Sequence, residues 1–238
     1  MNIALIGYGK MGQAIEQIAL ENGHTIALTV SIDNLEDFTT ENLKKADIAI
    51  EFTHPDSAFE NIKKCFECGL PVVCGTTGWL QHYETAKHLS SQYNTALLVA
   101  SNFSIGVNIF FEVNARLATL MAAQPGYDVS MEEIHHTQKK DAPSGTAISL
   151  AEQVLEKITR KKRWVNHLSD NVDELEIISE RIDPAPGTHK VKYTSSIDDI
   201  EIIHTAHNRK GFAAGAVLAA EFLVNKKGVY TMKDVLGL

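Results

Sequence analysis

A glycine turn near the N-terminus constrains the fold of this chain more than any other sequence feature. The apolar run NIALI leads into GYGKMG, which carries Gly7, Gly9 and Gly12, and apolar residues then recur at helical spacing before a second apolar run, TIALTV. In a βαβ unit of this kind the first glycine makes the turn, the second lets the backbone approach a pyrophosphate, and the third lets helix pack on strand. The pattern therefore predicts a dinucleotide at the N-terminus of the helix. A turn that is merely tight is the alternative.

The residues after the second apolar run bear on which dinucleotide binds. Asp33 lies about 20 residues after Gly12, where an acid can accept hydrogen bonds from the ribose hydroxyls of the adenosine. The following residues, NLED, contain no arginine or lysine for a 2′-phosphate. This composition favours NADH over NADPH, although Lys10 in the glycine turn is a cation that can serve a phosphate. A solvated acidic loop is the alternative interpretation.

Strand and helix patterns continue to alternate after this unit. ADIAIEFTHP and LPVVCGTTGW each indicate a strand that ends in a loop, DSAFENIKKCFECG indicates a helix opened by Asp56 or Ser57, and TALLVASNFSIGVN repeats the scheme. Such alternation is typical of an α/β domain with a Rossmann-like, doubly wound parallel sheet. Loops at the carboxyl ends of its strands form the ligand crevice, so we expect FTHP, GTTG and ASNFS near the cofactor. Gly75, Thr76 and Thr77 suit close approach to ribose and nicotinamide.

The pattern changes in the middle of the chain. A long helical stretch, NIFFEVNARLATLMAAQ, carries apolar residues that we assign to the core. It precedes a strand, YDVSMEEIHH, and another helix, SGTAISLAEQVLEKI. Short alternating runs such as KVKYTSS and DIEIIHTAH then indicate an α+β region with a mostly antiparallel sheet. Such a sheet presents a flat face that a partner subunit commonly covers, so we expect an oligomer.

The segment HHTQKKDAPSGTA, residues 135–147, gathers positive charge and hydroxyls just before the start of that second helix. A helix N-terminus offers unpaired N–H groups and a partial positive charge, so hydroxyls and cations beside it complete a site for a carboxylate or a phosphate. The residues proposed for this anion site are Ser144, Gly145, Thr146, His135, His136 and Lys139. Ordinary N-capping by Ser144, with lysines and histidines facing solvent, is the alternative.

The same segment contains candidates for proton transfer. Reduction of a C=N or C=O bond by a nicotinamide requires a proton as well as a hydride. A histidine, or a lysine beside other cations, can supply that proton near neutral pH. Lys139 and His135 are both candidates, and their spacing does not rank them.

Composition and charge narrow the partners. The chain of 238 residues carries a net charge of -8 and has no long basic run, which argues against nucleic acid as a partner. No apolar run approaches the ~20 residues that span a bilayer, and the N-terminus enters a strand-like run at once, so we expect a cytoplasmic protein without membrane span or leader. Cys65 and Cys68 form a CxxC without the second pair of a structural zinc site. We therefore expect buried, reduced thiols and no metal.

Taken together, these segments resemble the dihydrodipicolinate reductase family. The motifs that carry the resemblance run through the chain and are GYGKMG, EFTHP, GTTGW, ASNFSIGVN, EIHHTQKKDAPSGTA, NRKGFAAGAV and GVYTMKDVLGL. The element HHxxxKxDAPSGTA is the most specific of them. The resemblance implies NAD(P)H-dependent reduction of 4-hydroxy-tetrahydrodipicolinate to tetrahydrodipicolinate, a cyclic dicarboxylate, in the diaminopimelate route of lysine biosynthesis.

The resemblance also implies roles for individual residues. His135 and Lys139 are catalytic, with Lys139 the preferred proton donor, and the implied substrate-binding residues are His136, Gly145 and Thr146. The implied cofactor contacts are Gly7, Tyr8, Gly9, Lys10, Met11, Gly12, Asp33, Gly75, Thr76, Thr77, Ala100, Ser101, Asn102 and Phe103. Family members are typically homotetramers built through the sheet of their second domain.

The resemblance further implies a dinucleotide-binding domain at residues 1–104 and 212–238 and a substrate-binding and oligomerisation domain at residues 105–211. Two departures from the family pattern concern specificity. The glycine turn is one residue shorter than usual, and RIDPAPGTH has Asp183 where glycine is usual. Two other functions stay open on the same plan: another two-domain NAD(P)-dependent dehydrogenase that acts on an alcohol or amine, and a catalytically silent NADH sensor.

Overall fold

The chain folds as two compact units. The computed structural model describes residues 1–208 and 210–238, and Arg209, which lies within the motif NRKGFAAGAV, is outside the described residues. The first unit comprises Met1–Asn108 and Lys210–Leu238, and the second comprises the described residues between them. None of the helices in these described ranges is long and apolar enough to cross a membrane.

Helices and strands alternate through most of the chain. The elements of its first half are β1 (Asn2–Ile6), α1 (Lys10–Glu21), β2 (Thr25–Val30), α2 (Thr40–Leu43), β3 (Ile48–Glu51), α3 (Pro55–Glu67), β4 (Val72–Cys74), α4 (Tyr83–Gln92), β5 (Ala96–Val99) and α5 (Ile105–Met121). The elements that follow are β6 (Asp128–His135), α6 (Gly145–Lys157), β7 (Arg163–Val165), β8 (Glu174–Arg181), β9 (Gly187–Thr194), β10 (Asp199–Ala206), α7 (Lys210–Leu223), β11 (Gly228–Tyr230) and α8 (Met232–Leu236).

The first unit is built on a six-stranded sheet in the order β11-β5-β4-β3-β1-β2, in which every pair is parallel. In β1, Ile3 and Leu5 pack into a cluster with residues of α1 and α7, while Ala4 and Ile6 pack into a second cluster with residues of α3. Because side chains alternate between the two faces of a strand, helices on both faces allow the strand to be apolar throughout. The predicted Rossmann-like, doubly wound parallel sheet is confirmed.

The start of α3 differs from the sequence expectation. The helix begins at Pro55, and its N-cap residue is His54, whose side chain accepts from the backbone N–H of Asp56. Proline suits the first helical position because its φ is already helical and its missing N–H would have no intrahelical partner. The expected cap at Asp56 or Ser57 is therefore wrong, since that expectation overlooked the proline.

The second unit is built on a five-stranded sheet in the order β10-β9-β6-β8-β7. Strand β9 is antiparallel to both β10 and β6, whereas β8 is parallel to both β6 and β7. The unit is α+β, as predicted, and its sheet is mixed: the expected antiparallel pairing holds for β9 and its two neighbours, but not for β8 and β7.

A helical crossover explains why β6 and β7 run in the same direction. Helix α6 connects β6 to β7 and packs on the sheet through residues that include Leu150 and Val154. A crossover of this kind returns the chain in its original direction, which yields parallel strands. Alternation of apolar residues indicates that strands are present, but it carries no information on the direction in which they pair.

Candidate active site

The glycine turn lies between β1 and α1, as the sequence predicts. Gly7 has a φ of +98°, and a Cβ there would lie 1.9 Å from the carbonyl oxygen of Phe52. A Cβ on Gly12 would lie 2.3 Å from the carbonyl oxygen of Gly7, so neither glycine can be replaced without displacing backbone. A Cβ on Gly9 would meet no described atom within 4 Å. Gly7 and Gly12 therefore pack the turn tightly, while Gly9 leaves its outer side open for a ligand.

The N-terminus of α1 has the properties of an anion site. Gly9 is its N-cap residue, no described side chain caps it, and no acid lies in its first turn. The first N–H groups of a helix lack intrahelical partners and carry a partial positive charge. Tyr8 donates its hydroxyl to the carboxylate of Glu16. Lys10 is exposed, and Met11 packs against the core. This turn can accept a pyrophosphate on its backbone N–H groups.

The loop after β2 carries Asp33 as an exposed residue. Asn34 sets the shape of this loop: its side-chain oxygen accepts from the backbone N–H of Ser31 at 2.7 Å, and its amide donates to the carbonyl of Thr29 at 2.9 Å. The backbone N–H of Asp33 donates to the hydroxyl of Ser31 at 3.1 Å. Asn34 thus holds the backbone on which Asp33 is presented. The only sequence signal for this role is the general preference of asparagine for turns.

The GTTG loop follows β4 and packs against the loop after β3. A Cβ on Gly75 would lie 2.1 Å from the ring of Phe52, and the hydroxyl of Thr76 accepts from the backbone N–H of Thr53 at 2.7 Å. Thr76 is buried, whereas Thr77 is exposed. Thr76 therefore joins the two loops, and Thr77 is the threonine of this loop that is open to a ligand.

A buried carboxylate that sequence reasoning missed lies beneath this loop. Glu51 is fully buried at the end of β3 and accepts hydrogen bonds from the hydroxyl of Thr53 and, at 3.0 Å, from the thiol of Cys74. Burial, together with the nearby carboxylate, raises the pKa of Cys74, so its thiol remains a donor. Glu51 thereby joins the ends of β3 and β4. The available signal was an acid at the end of the apolar run ADIAIE.

The ASNF segment follows β5. The backbone N–H of Ala100 is bonded to the end of β4, and the side chain of Asn102 accepts from the backbone two residues further on. Ser101 is exposed, whereas Phe103 is buried in the core. A Cβ on Gly215 of α7 would lie 1.7 Å from the carbonyl oxygen of Phe103, so that glycine is required for the close packing of α7 on this segment. Phe103 therefore supports the segment, and Ser101 is its exposed hydroxyl.

A second buried carboxylate organises the residues predicted in the second unit. Glu133 is fully buried on β6, and it accepts from the backbone N–H of Ser144 at 3.1 Å and from the hydroxyl of Ser179 at 2.8 Å. The guanidinium of Arg181 lies 3.1 Å from one of its oxygens, and Nδ1 of His135 lies 3.3 Å from the other. Burial opposes ionisation, but these donors outweigh it and hold the pKa of Glu133 well below its usual range. Glu133 is a buried anion that joins β6, β8 and the start of α6.

Lys139 lies in the loop between β6 and α6. Its ammonium is 2.8 Å from both carboxylate oxygens of Asp141, and this bond lowers the pKa of Asp141. The guanidinium of Arg181 donates to the carbonyl of Lys139 at 3.3 Å and to the carbonyl of Asp141 at 2.6 Å. Asp183 accepts from the backbone N–H of Thr137 at 3.1 Å and from its hydroxyl at 2.6 Å. The end of β8 and the residues just after it therefore hold the loop that carries Lys139.

The N-terminus of α6 contains both internal and open groups. Ser144 is the N-cap residue, and its hydroxyl accepts from the backbone N–H of Ala147 at 3.2 Å and lies 3.1 Å from Nε2 of His189. Its own N–H is bound to the buried carboxylate of β6, so Ser144 is engaged within the fold. Gly145 is exposed and Thr146 is half-buried. The part of this helix terminus that an anion can reach is therefore Gly145 and Thr146.

The histidines of this unit differ in their surroundings. His135 is buried, and its ring meets that of His189 edge to face at 5.1 Å. Burial, and then the neighbouring His135, lowers the pKa of His189 from 6.5 to about 4, so His189 is neutral near physiological pH. His136 is half-buried. His135 thus lies between a buried anion and a neutral ring.

Among the described residues of this unit, one group of side chains could hold a metal ion. A ligand atom from each of Glu133, His135 and His189 lies within 4.8 Å of the others. However, the carboxylate of Glu133 already accepts from a backbone N–H and a hydroxyl and is paired with Arg181. A divalent ion would have to compete with these donors and lie close to a guanidinium in a buried place, which is unfavourable.

The three cysteines are free thiols, and the expectation that they are buried holds for two of them. Cys65 and Cys74 are buried, and Cys68 is half-buried. Burial raises the pKa of Cys65, so that thiol stays protonated and unreactive.

Comparison with known protein families matches nearly the whole chain. Residues 1–103 match the family described as "Dihydrodipicolinate reductase, N-terminus". Residues 106–236 match the family described as "Dihydrodipicolinate reductase, C-terminus". The two matches meet near the start of α5 and follow one another in the order expected for a single reductase chain.

Individual relatives agree with these matches. A protein of Christiangramia forsetii named 4-hydroxy-tetrahydrodipicolinate reductase is 50% identical over 236 residues, which are 99% of this chain and 98% of that protein. A protein of the same name from Thermosipho africanus is 34% identical over 241 residues, again 99% and 98% of the two chains.

Solved structures share the fold. A dipicolinate-bound dihydrodipicolinate reductase from Paenisporosarcina sp. superposes with a TM-score of 0.78 at 23% identity, over 97% of each chain. A probable dehydrogenase from Thermotoga maritima superposes with a TM-score of 0.57 at 10% identity, over 99% of this chain and 92% of that one. At these identities the likeness concerns the fold alone.

Proposed function

This chain belongs to the dihydrodipicolinate reductase family, and from that membership we propose that it is a 4-hydroxy-tetrahydrodipicolinate reductase in the diaminopimelate route of lysine biosynthesis. The observation that carries the proposal is the 50% identity to the Christiangramia forsetii reductase over 99% of this chain. The reaction consumes one hydride and one proton, releases water and gives tetrahydrodipicolinate.

A reduced nicotinamide dinucleotide supplies the hydride when it is bound. We assign its pyrophosphate to the N-terminus of α1, an assignment supported by the open side of Gly9 and by the lack of a described side-chain cap there. The exposed hydroxyls of Thr77 and Ser101 are the proposed partners of the ribose and nicotinamide. Thr76 and Phe103, which are buried, act indirectly by holding their loops in shape.

NADH is the proposed coenzyme in preference to NADPH. The loop after β2 presents Asp33, Glu36 and Asp37, all of which are exposed. An acid at this place accepts hydrogen bonds from ribose hydroxyls and repels a 2′-phosphate. Any use of NADPH would then rest on Lys10, the exposed cation of the glycine turn.

Lys139 is the proposed proton donor. A general acid must reach the substrate with the proton it gives up. The side chain of Lys139 is 23% exposed and is held by Asp141, whereas the side chain of His135 is 9% exposed and turns Nδ1 toward the buried carboxylate of Glu133. His135 then contacts the substrate through its second ring nitrogen, Nε2, and orients it.

Gly145, Thr146 and His136 are the proposed binders of the substrate carboxylates. Helix α6 has 13 residues, and its first N–H groups carry the partial positive charge that favours an anion. Ser144 takes part as the cap that fixes the turn, since its hydroxyl and N–H are both bound within the fold.

A homotetramer built through the second unit is the proposed assembly. Strand β10 lies at an edge of the second sheet and exposes Ile200 and Ile203, and helix α5 exposes Val113 and Leu120. Apolar side chains on an edge strand and a neighbouring helix favour association with another copy. Light scattering of the purified protein tests the assembly.

We place the reaction in the cytoplasm. The free state of all three cysteines supports a reducing compartment.

Product analysis tests the proposed reaction. Substrate is generated in place from pyruvate and aspartate semialdehyde by the preceding synthase, and the protein is added with NADH that carries deuterium at both C4 positions of the nicotinamide. We expect a product with the mass of tetrahydrodipicolinate carrying one deuterium. Unlabelled product, or no product beyond that of the synthase alone, would reject the proposal.

A further inference from the structure

The loop of residues 136–143, which carries Lys139, is attached to a buried anion through one side chain. Arg181, the last residue of β8, lies 3.1 Å from the carboxylate of Glu133, which is fully buried. The same guanidinium donates to the carbonyls of Lys139 and Asp141 at 3.3 and 2.6 Å. One planar group therefore joins the buried carboxylate to the backbone on either side of Lys140.

The shape of arginine matters for this arrangement. A guanidinium presents five N–H donors in a rigid plane, so three acceptors around it are fixed relative to one another. The ammonium of a lysine is a compact charge on a flexible stem and could satisfy the anion without reaching both carbonyls. Arg181 therefore contacts the backbone of Lys139 in addition to balancing the charge of Glu133.

A second contact holds the same loop two residues earlier. Asp183 accepts from both the backbone N–H and the hydroxyl of Thr137, and these bonds lower its pKa, so it stays ionised. Within the loop, the backbone N–H of Lys139 donates to the carbonyl of His136 at 3.1 Å. Asp183 thus holds the loop within that turn, and Arg181 holds it at Lys139 and Asp141.

We propose that Arg181 and Asp183 form a clamp, anchored on Glu133, that positions Lys139 for proton transfer. Both are positioning residues, since they act through Lys139. The inference rests on the proposed function, in which Lys139 is the proton donor. A displacement of a reacting group by 1 Å can cost roughly 10²-fold in rate, so contacts that fix this backbone have a large effect on turnover.

A general contribution of the Arg181 ion pair to folding is the competing explanation. It predicts lower stability and an equal loss of rate in any background. A clamp that acts through Lys139 predicts instead that its loss has no further effect once Lys139 is absent, because residues that act as a unit are not additive.

A double-mutant cycle on the full-length protein separates the two. Arg181→Lys keeps a positive charge opposite Glu133 but gives up the fixed contacts to the two carbonyls. In the otherwise wild-type protein we expect kcat to fall about 10- to 100-fold, with an unchanged Kd for NADH. In a Lys139→Ala background we expect the same substitution to lower the residual rate by less than about twofold.

A control variant, a second test variant and a stability measurement accompany the cycle. Arg163→Lys alters another arginine pair of the same unit, that with Glu174, and we expect its kcat to match that of the wild type. Asp183→Asn changes an exposed position and leaves the buried anion intact. We expect Asp183→Asn to lower kcat by up to about tenfold in the otherwise wild-type protein. In the Lys139→Ala background we expect it to leave the residual rate unchanged. Thermal unfolding of each variant reports whether it is folded.

Hydrogen exchange gives a readout that does not depend on activity. We expect Arg181→Lys to speed amide exchange in peptides that cover residues 136–143 and to leave the peptides of α6 and β9 unchanged. Accelerated exchange throughout the second unit would indicate general destabilisation and would overturn the clamp.

The outcomes distinguish the clamp from the function on which it rests. Wild-type turnover in Arg181→Lys, or equal losses in both backgrounds, overturns the clamp alone. Wild-type turnover in Lys139→Ala overturns the proposed proton donor and the clamp with it. A folded wild type that does not consume the substrate overturns the proposed function and, again, the clamp.

Discussion

The ammonium of Lys139 lies 2.8 Å from each carboxylate oxygen of Asp141, two residues further along the same loop. The hydrogen bond from Lys139 lowers the pKa of Asp141, so the acid remains a carboxylate and keeps the amine in one place. The proposed proton donor is therefore held by its own loop, which is in turn held by Arg181 and Asp183. Substitutions at Lys139 and at Asp141 can therefore measure the contribution of each residue separately.

Replacement of Lys139 by alanine should abolish most turnover. We expect Lys139→Ala to lower kcat by roughly 10²-fold or more, the scale typical of a general acid, with little change in the Kd for NADH. Lys140→Ala is the matched control, because Lys140 is an exposed lysine in the same loop, and we expect it to behave as the wild type. Steady-state kinetics measure both. Near-normal turnover by Lys139→Ala would remove Lys139 from the role.

Replacement of Asp141 by asparagine should loosen the donor without removing it. Asparagine keeps the size of the side chain but offers one neutral oxygen where the carboxylate offers two charged ones. We expect Asp141→Asn to lower kcat by about tenfold, because the ammonium is no longer fixed. The comparison of interest is kcat at saturating substrate for Asp141→Asn and wild type. Equal values would show that the ion pair has no part in turnover.

Replacement of Asp33 by alanine should change the choice of coenzyme. If the carboxylate accepts hydrogen bonds from the ribose hydroxyls, its loss weakens the binding of NADH. The same loss removes the repulsion between the carboxylate and the 2′-phosphate of NADPH. We therefore expect Asp33→Ala to raise the Kd for NADH by about tenfold and to leave or lower that for NADPH. Glu36→Ala, an exposed acid in the same loop, is the control. Equal weakening of both coenzymes would argue against a ribose contact.

The buried His189 should make the fold sensitive to mild acid. Its pKa in the folded chain is about 4, against a usual 6.5, because burial and the neighbouring His135 disfavour the charged ring. The unfolded chain therefore binds the proton more readily, so this contribution to stability is full above pH 6.5 and is lost as the pH falls toward 4. The loss is on the order of 3 kcal/mol for such a shift.

Urea unfolding at pH values between these limits measures that dependence. We expect the free energy of unfolding of the wild type to fall across the window and that of His189→Gln, which cannot take up a proton there, to fall less. The low pKa of Glu133 affects stability in the same direction but only at lower pH, since a carboxylate of usual pKa is already ionised above about pH 5. Identical slopes for the two proteins would contradict the assignment to His189.

Much of the fold was predictable because its signals are local. Gly7 and Gly12 sit beside the strand and helix that they join, and the apolar runs of β1, β3 and β5 require no knowledge of distant segments. The direction of pairing in the second sheet was not predictable in this way. The direction depends on how α6 returns the chain to β7. Strand β7 has only 3 residues, so its sequence shows little alternation to detect.

In the candidate site, too, local features were predictable and contacts between distant segments were not. The segment of residues 135–147 was identified from its own composition, but Glu133 and Glu51 were missed, since an acid in a strand pattern is normally read as exposed. The donors that make the burial of Glu133 tolerable, Ser179 and Arg181, lie 46 and 48 residues away in sequence. Such partners become visible only when the strands that carry them are paired.

The measurement that tests the central claim most directly is oxidation of NADH by the purified wild-type protein, followed by the loss of nicotinamide absorbance. The substrate is generated in place by the preceding synthase from pyruvate and aspartate semialdehyde. We expect rapid oxidation that depends on the synthase and on both of its substrates, and that is faster with NADH than with NADPH. A folded protein that binds NADH and yet does not oxidise it under these conditions would contradict the account.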